Sequence, residues 1–130
     1  MAHKLMAFND VGQIVGSYVD SGGVQHGFLN NGGAFITLDA PGAVSQGTQA
    51  FGINNAGQIA GEYYDSGGVH GYSYSGVTYG TINAPSAGGT YASSINASGQ
   101  IVGIYFPGPQ GFLDTGGTFT TLPTYLGGYG

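Results

Sequence analysis

A threefold internal repeat constrains the fold of this chain more than any other feature of its sequence. The first landmark reads Asn-Asp-Val-Gly-Gln-Ile-Val-Gly-Ser-Tyr at residues 9–18, and close variants of it occupy residues 54–63 and 96–105. Two more landmarks follow each copy in the same order, a Gly-Phe or Gly-Tyr pair and then an aromatic-x-Thr-Leu or aromatic-x-Thr-Ile segment. Repeats of this length are supersecondary units that bury their apolar faces only by stacking on neighbours. The chain is therefore a single repeat domain, with units predicted at 3–46, 47–89 and 90–130.

Each unit is predicted to form four short strands. In the middle unit, turn clusters of Asn, Asp, Ser and Gly separate four β-prone runs, at residues 48–53, 58–64, 69–73 and 77–82. Apolar residues show no 3.6-residue period over ten or more positions, and 28 glycines interrupt every candidate helix. The sequence therefore predicts an all-β chain made of three four-stranded antiparallel repeats.

Two architectures accommodate three such repeats. Four strands in about 40–45 residues are typical of a β-propeller blade. Three repeats in 130 residues also fit a β-trefoil, which closes as a monomer. The second strand of each unit carries a glycine at its centre, and a glycine there suits the close approach of backbones near a central axis. We therefore predict propeller blades, with the β-trefoil monomer as the alternative.

Three blades cannot surround an axis without strain, so we predict that oligomerisation completes the ring. Terminal blades expose apolar faces and strand edges, and association covers them. The predicted partner is a second copy, giving a homodimer of six blades, since twofold symmetry is the commonest. A three-chain ring of nine blades and an open fibre are the alternatives. Because the chain has a single Lys or Arg, the contact should be apolar, with Leu5 and Phe8 of one chain meeting Phe119 and Leu122 of another.

The combined pattern resembles the HAF repeat of bacterial extracellular proteins over essentially the entire chain. It runs Asn-x-x-Gly-Gln-Ile-Val-Gly-x-Tyr, Asp-Ser-Gly-Gly, His-Gly-Phe-Leu and Phe-x-Thr-Leu-Asp-Ala-Pro-Gly-Ala. His26 and His70 begin the segments that echo the family's name motif, whereas the third unit has Gln110. The resemblance implies a secreted or surface-displayed repeat protein with a propeller-like fold and no established enzymatic activity. It also implies that three repeats correspond to part of a larger ring.

Charge and composition exclude several classes of function. The chain has one basic residue, Lys4, and six acidic ones, which gives a net charge of −5. Nucleic-acid binding is excluded, because it needs many Lys and Arg side chains to replace phosphate counterions. No apolar run approaches the roughly 20 residues of a membrane span, and no charged-then-apolar signal segment opens the chain, so we expect no membrane insertion. The absence of cysteine removes disulfides, thiolate catalysis and cysteine-zinc sites.

Candidate catalytic and metal-binding residues are few. His26 and His70 are equivalent and could present imidazoles to a metal, but Gln110 interrupts the set, and a local structural role is favoured. The aspartates lie singly at predicted turns, where capping explains them. Glu62 is the sole glutamate and is expected to be a solvated side chain, without the second carboxylate that glycoside hydrolysis needs. We therefore predict no enzyme activity, no metal and no cofactor.

The repeated tyrosines Tyr18, Tyr63 and Tyr105 are the candidate ligand-binding residues. Tyrosine combines an apolar ring with a hydroxyl, which suits stacking on sugars, so glycans are a second predicted class of partner. Packing of these rings between blades is favoured over glycan binding. The leading hypothesis for function is therefore a non-catalytic structural or assembly module of an extracellular repeat protein. A lectin-like propeller and a subunit of an extracellular fibre are the alternatives.

Overall fold

Three separate four-stranded sheets make up the protein. The computed structural model describes residues 3–44, 47–76, 78–84, 88–106 and 110–122, and its regular elements are all strands. The first sheet contains β1 (His3–Phe8), β2 (Ile14–Val19), β3 (Gln25–Asn31) and β4 (Ala34–Leu38). The second contains β5 (Thr48–Ile53), β6 (Ile59–Asp65), β7 (Gly68–Tyr74) and β8 (Tyr79–Ile82). The third contains β9 (Gly89–Ile95), β10 (Ile101–Phe106), β11 (Gln110–Thr115) and β12 (Thr118–Leu122).

The strands of each sheet pair in sequence order and are antiparallel throughout. This confirms the prediction of three four-stranded antiparallel repeats. In the middle unit β5 spans the predicted residues, and both ends of each of the other three strands lie within two residues of their predicted bounds. The third sheet begins at Gly89, one residue before the predicted unit boundary.

The first strand of every sheet carries a β-bulge beside a glycine of the second strand. The residues paired before the register shift are Leu5 with Gly16, Ala50 with Gly61 and Ala92 with Gly103. A Cβ added at Gly61 would overlap the carbonyl oxygen of Gln49 and come within 2.9 Å of the Tyr72 ring. The equivalent glycines are crowded in the same way. The repeated glycine is therefore required by the bulge, which brings a backbone carbonyl over it.

The sheets stack through the first strand of each following sheet. Strand β5 lies across β1, β2 and β3, and β9 lies across β5, β6 and β7. The apolar core between the first two sheets includes Val15, Leu29, Leu38, Ala50, Ile53, Ile59, Tyr63 and Tyr72. The core between the second and third includes Ala60, Ile82, Ala92, Ile101 and Phe112. A Cβ at Gly71 would lie 3.2 Å from the Cβ of Ala92, so small residues on both sides keep these sheets close.

The described sheets do not close on themselves. The first and third sheets each pack one face against the second sheet. A β-trefoil monomer requires closure within one chain, and the stack formed by the described strands lacks it. Within the described residues, no helix is long and apolar enough to cross a membrane.

We expect Gly61→Ala to destabilise the protein by about 3 kcal/mol or more, because the new methyl group has no room beside the Gln49 carbonyl. Gly22→Ala is the matched control, since the nearest atom to a Cβ at Gly22 is 3.4 Å away, within ordinary contact distance. Denaturant unfolding of both variants measures the difference. Equal stability of the two variants would contradict the role assigned to the bulge.

We expect Tyr72→Phe to stabilise the protein by about 1 kcal/mol. The hydroxyl of Tyr72 is buried and has no hydrogen-bond partner among the described residues. The equivalent residues, Phe28 and Phe112, are buried without a hydroxyl. Thermal and denaturant unfolding test the variant, and Phe28→Tyr should be destabilising by the same reasoning.

Candidate functional site

The Asn-x-x-Gly-Gln motif forms the turn between the first and second strands of each sheet. In the second sheet, Asn54 Oδ1 accepts hydrogen bonds from the backbone N–H of Ala56 at 3.1 Å and of Gln58 at 2.9 Å. Asn54 Nδ2 donates to Gln58 Oε1 at 2.7 Å. The motif glycine, Gly57, has a φ of +83°, which glycine adopts without a steric cost. Asn9 and Asn96 form the same turn with Gln13 and Gln100.

These asparagines also join one sheet to the next. Asn9 Nδ2 donates to the backbone carbonyl of Asn54 at 2.9 Å, and Asn54 Nδ2 donates to the carbonyl of Asn96 at 2.9 Å. Both donor residues are buried. We call this series of hydrogen bonds the asparagine ladder. Its polarity is constant, because the side chain of each unit donates to the backbone of the following unit.

A second polar contact flanks the first step of the ladder. Asn55 Nδ2 donates to Asp10 Oδ2 at 2.9 Å, and the backbone N–H of Asp10 donates to Asn55 Oδ1 at 2.8 Å. The third unit has Ala97 at this position and forms no such pair with Asn55. Asp10 and Asn55, which follow the first two ladder asparagines, therefore lie side by side in adjacent sheets.

The ladder has two unlike ends. The side-chain amide of Asn96 donates to Gln100 Oε1 at 2.9 Å and has no second acceptor among the described residues. The Asn9 carbonyl accepts from Gly12 N–H at 3.2 Å and, over the same part of the chain, receives no asparagine side chain. Asn96 is exposed, in contrast to Asn9 and Asn54. One end of the stack therefore presents a spare donor and the other a spare acceptor.

Both end sheets expose apolar side chains at positions that are buried inside the stack. On the third sheet, Val102 is 40% exposed, whereas its counterparts Val15 and Ala60 are fully buried. Leu122 is 36% exposed, whereas its counterparts Leu38 and Ile82 are buried. The outer face of the third sheet therefore has the apolar character of an internal junction, but no described strand packs against it.

The outer face of the first sheet is apolar as well. Leu5 is 66% exposed and Phe8 is 77% exposed, although their counterparts in β5, Ala50 and Ile53, are buried. An open cavity of about 410 Å³ is lined by Leu5, Met6, Ala7, Phe8, Gly12 and Ile14. This face also departs from the internal pattern, because Leu5 is larger than the alanine at the same position of β5 and β9.

The four predicted contact residues therefore divide into two groups. Leu5, Phe8 and Leu122 lie on the uncovered end faces. The ring of Phe119 packs on the opposite face of the third sheet, against the core shared with the second sheet and 5.4 Å from the Phe112 ring. The prediction that Phe119 contacts another chain stays untested, but its side chain already has a partner within the chain.

The three predicted ligand-binding tyrosines each donate to, or accept from, a threonine hydroxyl of the fourth strand. The oxygen–oxygen distance is 2.9 Å for Tyr18 with Thr37, Tyr63 with Thr81 and Tyr105 with Thr121. Tyr63 is buried in the first core, and Tyr105 packs against the second. The packing role favoured from the sequence describes these two rings, and only Tyr18 lies on an end face.

The repeat histidines lie in polar clusters that the sequence did not predict in detail. His26 Nε2 lies 2.8 Å from Asp20 Oδ2, and His26 Nδ1 lies 2.6 Å from Asp39 Oδ1. Hydrogen bonds from Asp20 and then Asp39 raise the pKa of His26 above 6.5, and the bond to His26 lowers the pKa of Asp20. Each ring nitrogen faces a carboxylate, so the imidazolium is the form that satisfies both contacts.

The cluster around His70 contains one carboxylate, whereas the cluster around His26 contains two. His70 Nε2 lies 2.9 Å from Asp65 Oδ1, and Nδ1 lies 2.7 Å from Asn83 Oδ1. Burial opposes the charge of His70, but the hydrogen bonds to Asn83 and Asp65 outweigh it and the pKa is raised. Both histidines thus tie the hairpin turn to the segment after the fourth strand. Within the described residues, no group of three or more His, Asp or Glu side chains is placed to hold a metal ion.

The expectation that Glu62 is solvated is wrong. Its side chain is buried, and desolvation raises the pKa of the carboxyl group, while the Tyr64 hydroxyl donates to Oε2 at 3.3 Å. The counterparts of Glu62, Ser17 and Ile104, are small or apolar, so comparison of the repeats could have indicated a junction position.

Comparisons with protein-family models, curated proteins and solved structures each found no match.

The histidine clusters predict a pH dependence of stability. Protonated His26 stabilises the folded state, so this contribution is fully present below pH 6.5 and is lost as pH rises through the raised pKa. The Asp20 contribution is present above pH 3.8 and is lost as pH falls through its lowered pKa. We expect the free energy of unfolding to fall as pH is raised from about 5.5 to 8.

His26→Gln introduces the residue that the third unit has at the equivalent position, Gln110. This substitution should reduce the slope of the free energy of unfolding against pH. Asp39→Asn should reduce it less, because it retains an oxygen acceptor as in the second cluster. Urea unfolding across the pH range measures both slopes, and an unchanged slope in His26→Gln would show that the cluster does not titrate.

Proposed function

We propose that this chain is a non-catalytic assembly module, whose three sheets are consecutive propeller blades that associate with further copies through the two end sheets. One observation carries the proposal. The packing that joins the sheets occurs twice within the chain, and the positions that form it are also present, uncovered, on both ends of the stack.

The order of the sheets supports a blade-like arrangement. Strand β5 contacts both β1 and β9, so the first strands of successive sheets lie side by side. Each sheet then continues outward in sequence order. Strands that adjoin in this way surround a common axis when enough blades are present.

The exposed apolar side chains account for the driving force. Complete burial of a Val, Leu or Phe side chain contributes roughly 1.5–3 kcal/mol. Leu5 and Phe8 on one end, with Val102, Ile104 and Leu122 on the other, provide several such groups at a single junction. Association also carries an entropic cost, and a closed ring of two chains offsets it with two junctions.

A homodimer with six blades is the simplest closed assembly, and a nine-blade ring or an open fibre uses the same contact. Extracellular placement is part of the proposal and rests on the HAF-repeat resemblance alone. The module requires no catalytic group, metal or cofactor in this role.

We expect Leu5→Asp to dissociate the assembly without unfolding the chain, because Leu5 is mostly exposed in a single copy and a carboxylate buried in an apolar junction is costly. Ser66→Asp is the control, since it adds the same charge at an exposed turn of the middle sheet. Light scattering at micromolar concentration gives the mass of each species, and circular dichroism checks the fold.

The assembly should also persist at high salt, since exposed ion pairs do not hold it together. A folded wild-type species of 13.1 kDa across the accessible concentration range would overturn the proposed function.

A further inference from the structure

We infer that the asparagine ladder continues between chains, with Asn96 Nδ2 of one copy donating to the Asn9 carbonyl oxygen of the next. This inference rests on the proposed function, because it names the contact that sets the register of self-association. The junction is thus head to tail, and the third sheet of one copy meets the first sheet of another.

The two internal steps of the ladder supply the template. In each of them, an asparagine side chain donates to the carbonyl of the equivalent asparagine in the following unit, at 2.9 Å. Asn96 has the same turn geometry as Asn9 and Asn54, including the bonds to its own loop. Its amide is therefore already oriented as the donor of a third step.

The polarity of the ladder excludes the symmetric alternatives. Two third sheets placed face to face would bring together two Asn96 donors, and two first sheets would bring together two Asn9 acceptors. Either arrangement leaves polar groups unpaired in an apolar contact, at the full cost of their desolvation. Apolar surfaces alone do not select a direction, so the ladder distinguishes the head-to-tail junction from the others.

The contact beside the ladder shows which residues should meet at the junction between two chains. Asp10 and Asn55 are hydrogen-bonded across the first internal junction, beside the ladder. In the continued ladder, Ala97 takes the place of Asp10, and Asp10 of the next copy takes the place of Asn55. The sequence contains no cysteine, so introduced cysteines have no native thiol to react with.

The experiment mixes two single variants, Ala97→Cys and Asp10→Cys, under mild oxidation. We expect a covalent dimer from the mixture and little from either variant alone. Asp10→Cys combined with Asn55→Cys in one chain is the positive control, because it places the same pair across a junction the structure contains. Non-reducing electrophoresis and mass spectrometry of the linked peptide identify the bond.

Asn96→Asp tests the hydrogen bond itself. The substitution keeps an oxygen to accept from Ser98 and Gln100 N–H, but it replaces the donor with an acceptor. We expect the dissociation constant of the assembly to rise about tenfold or more. The unfolding midpoint of the separated chain should fall only slightly, because the one intrachain hydrogen bond lost, to Gln100 Oε1, is exposed. Asn54→Asp is the matched variant. Both substitutions remove a donor to the motif glutamine, but only Asn54→Asp also removes a donor to the next unit inside the chain, so it should lower the unfolding midpoint further.

The outcomes separate the inference from the proposed function. A wild-type chain that stays monomeric overturns the proposed function, and the inference with it. An assembly that forms an Ala97→Cys homodimer instead of the mixed disulfide overturns the inference alone, as does one whose affinity is unchanged by Asn96→Asp. Formation of the mixed disulfide together with weaker association of Asn96→Asp supports both.

Discussion

Close backbone approach is the constraint on which the rest of this structure depends. A bulge in the first strand brings a carbonyl oxygen over the central glycine of the second strand, and an aromatic ring on the third strand covers that glycine. The bulge increases the local twist of the strand, and small residues then let the following sheet lie against it. A larger residue at Gly61 would therefore disturb the sheet and its junction with the neighbour. Close packing thus accounts for the strand glycines, whereas turn glycines such as Gly12 and Gly23 have positive φ and open space around them.

Polar, uncharged side chains determine how the sheets of this protein align, since few of its residues carry a charge. At each internal junction, an asparagine side chain satisfies its own turn and one carbonyl of the next unit. Buried threonines add a similar contact, since Thr48 and Thr90 accept hydrogen bonds from the backbone of the preceding unit at 3.1 Å. An unpaired buried polar group is costly, so these bonds penalise any other register. The apolar core holds the sheets together, and the polar contacts determine how they are aligned.

The stacking of repeats also explains why the first and third sheets each have an exposed apolar face. A repeat that buries one face on its predecessor and the other on its successor leaves one face of each terminal unit uncovered. His3 and Leu5 replace the Thr and Ala found in β5 and β9, so the first sheet is not an identical copy of the internal units. In the proposed junction Leu5 takes the place that Ala50 and Ala92 hold in the internal junctions, and its larger side chain adds apolar area there. The end faces are thus apolar like the internal junctions, but the first sheet has larger side chains at the positions that small residues occupy in β5 and β9.

The sequence by itself determined the repeat, the strands and the all-β class, because these depend on local turn chemistry and on glycine positions that recur in register. It predicted Leu5, Phe8 and Leu122 as inter-chain contacts, and all three side chains are exposed on the first and third sheets. It did not determine which side chains a neighbouring sheet covers. Phe119, predicted as an inter-chain contact, packs against the core shared with the second sheet, and Glu62, expected in solvent, is buried. The asparagine ladder and the histidine clusters were decided only by the tertiary structure, because their bonds join residues up to 45 positions apart whose partners include backbone atoms. A backbone carbonyl carries no sequence signature, and only the stacking of one sheet on the next brings it within reach of a side chain.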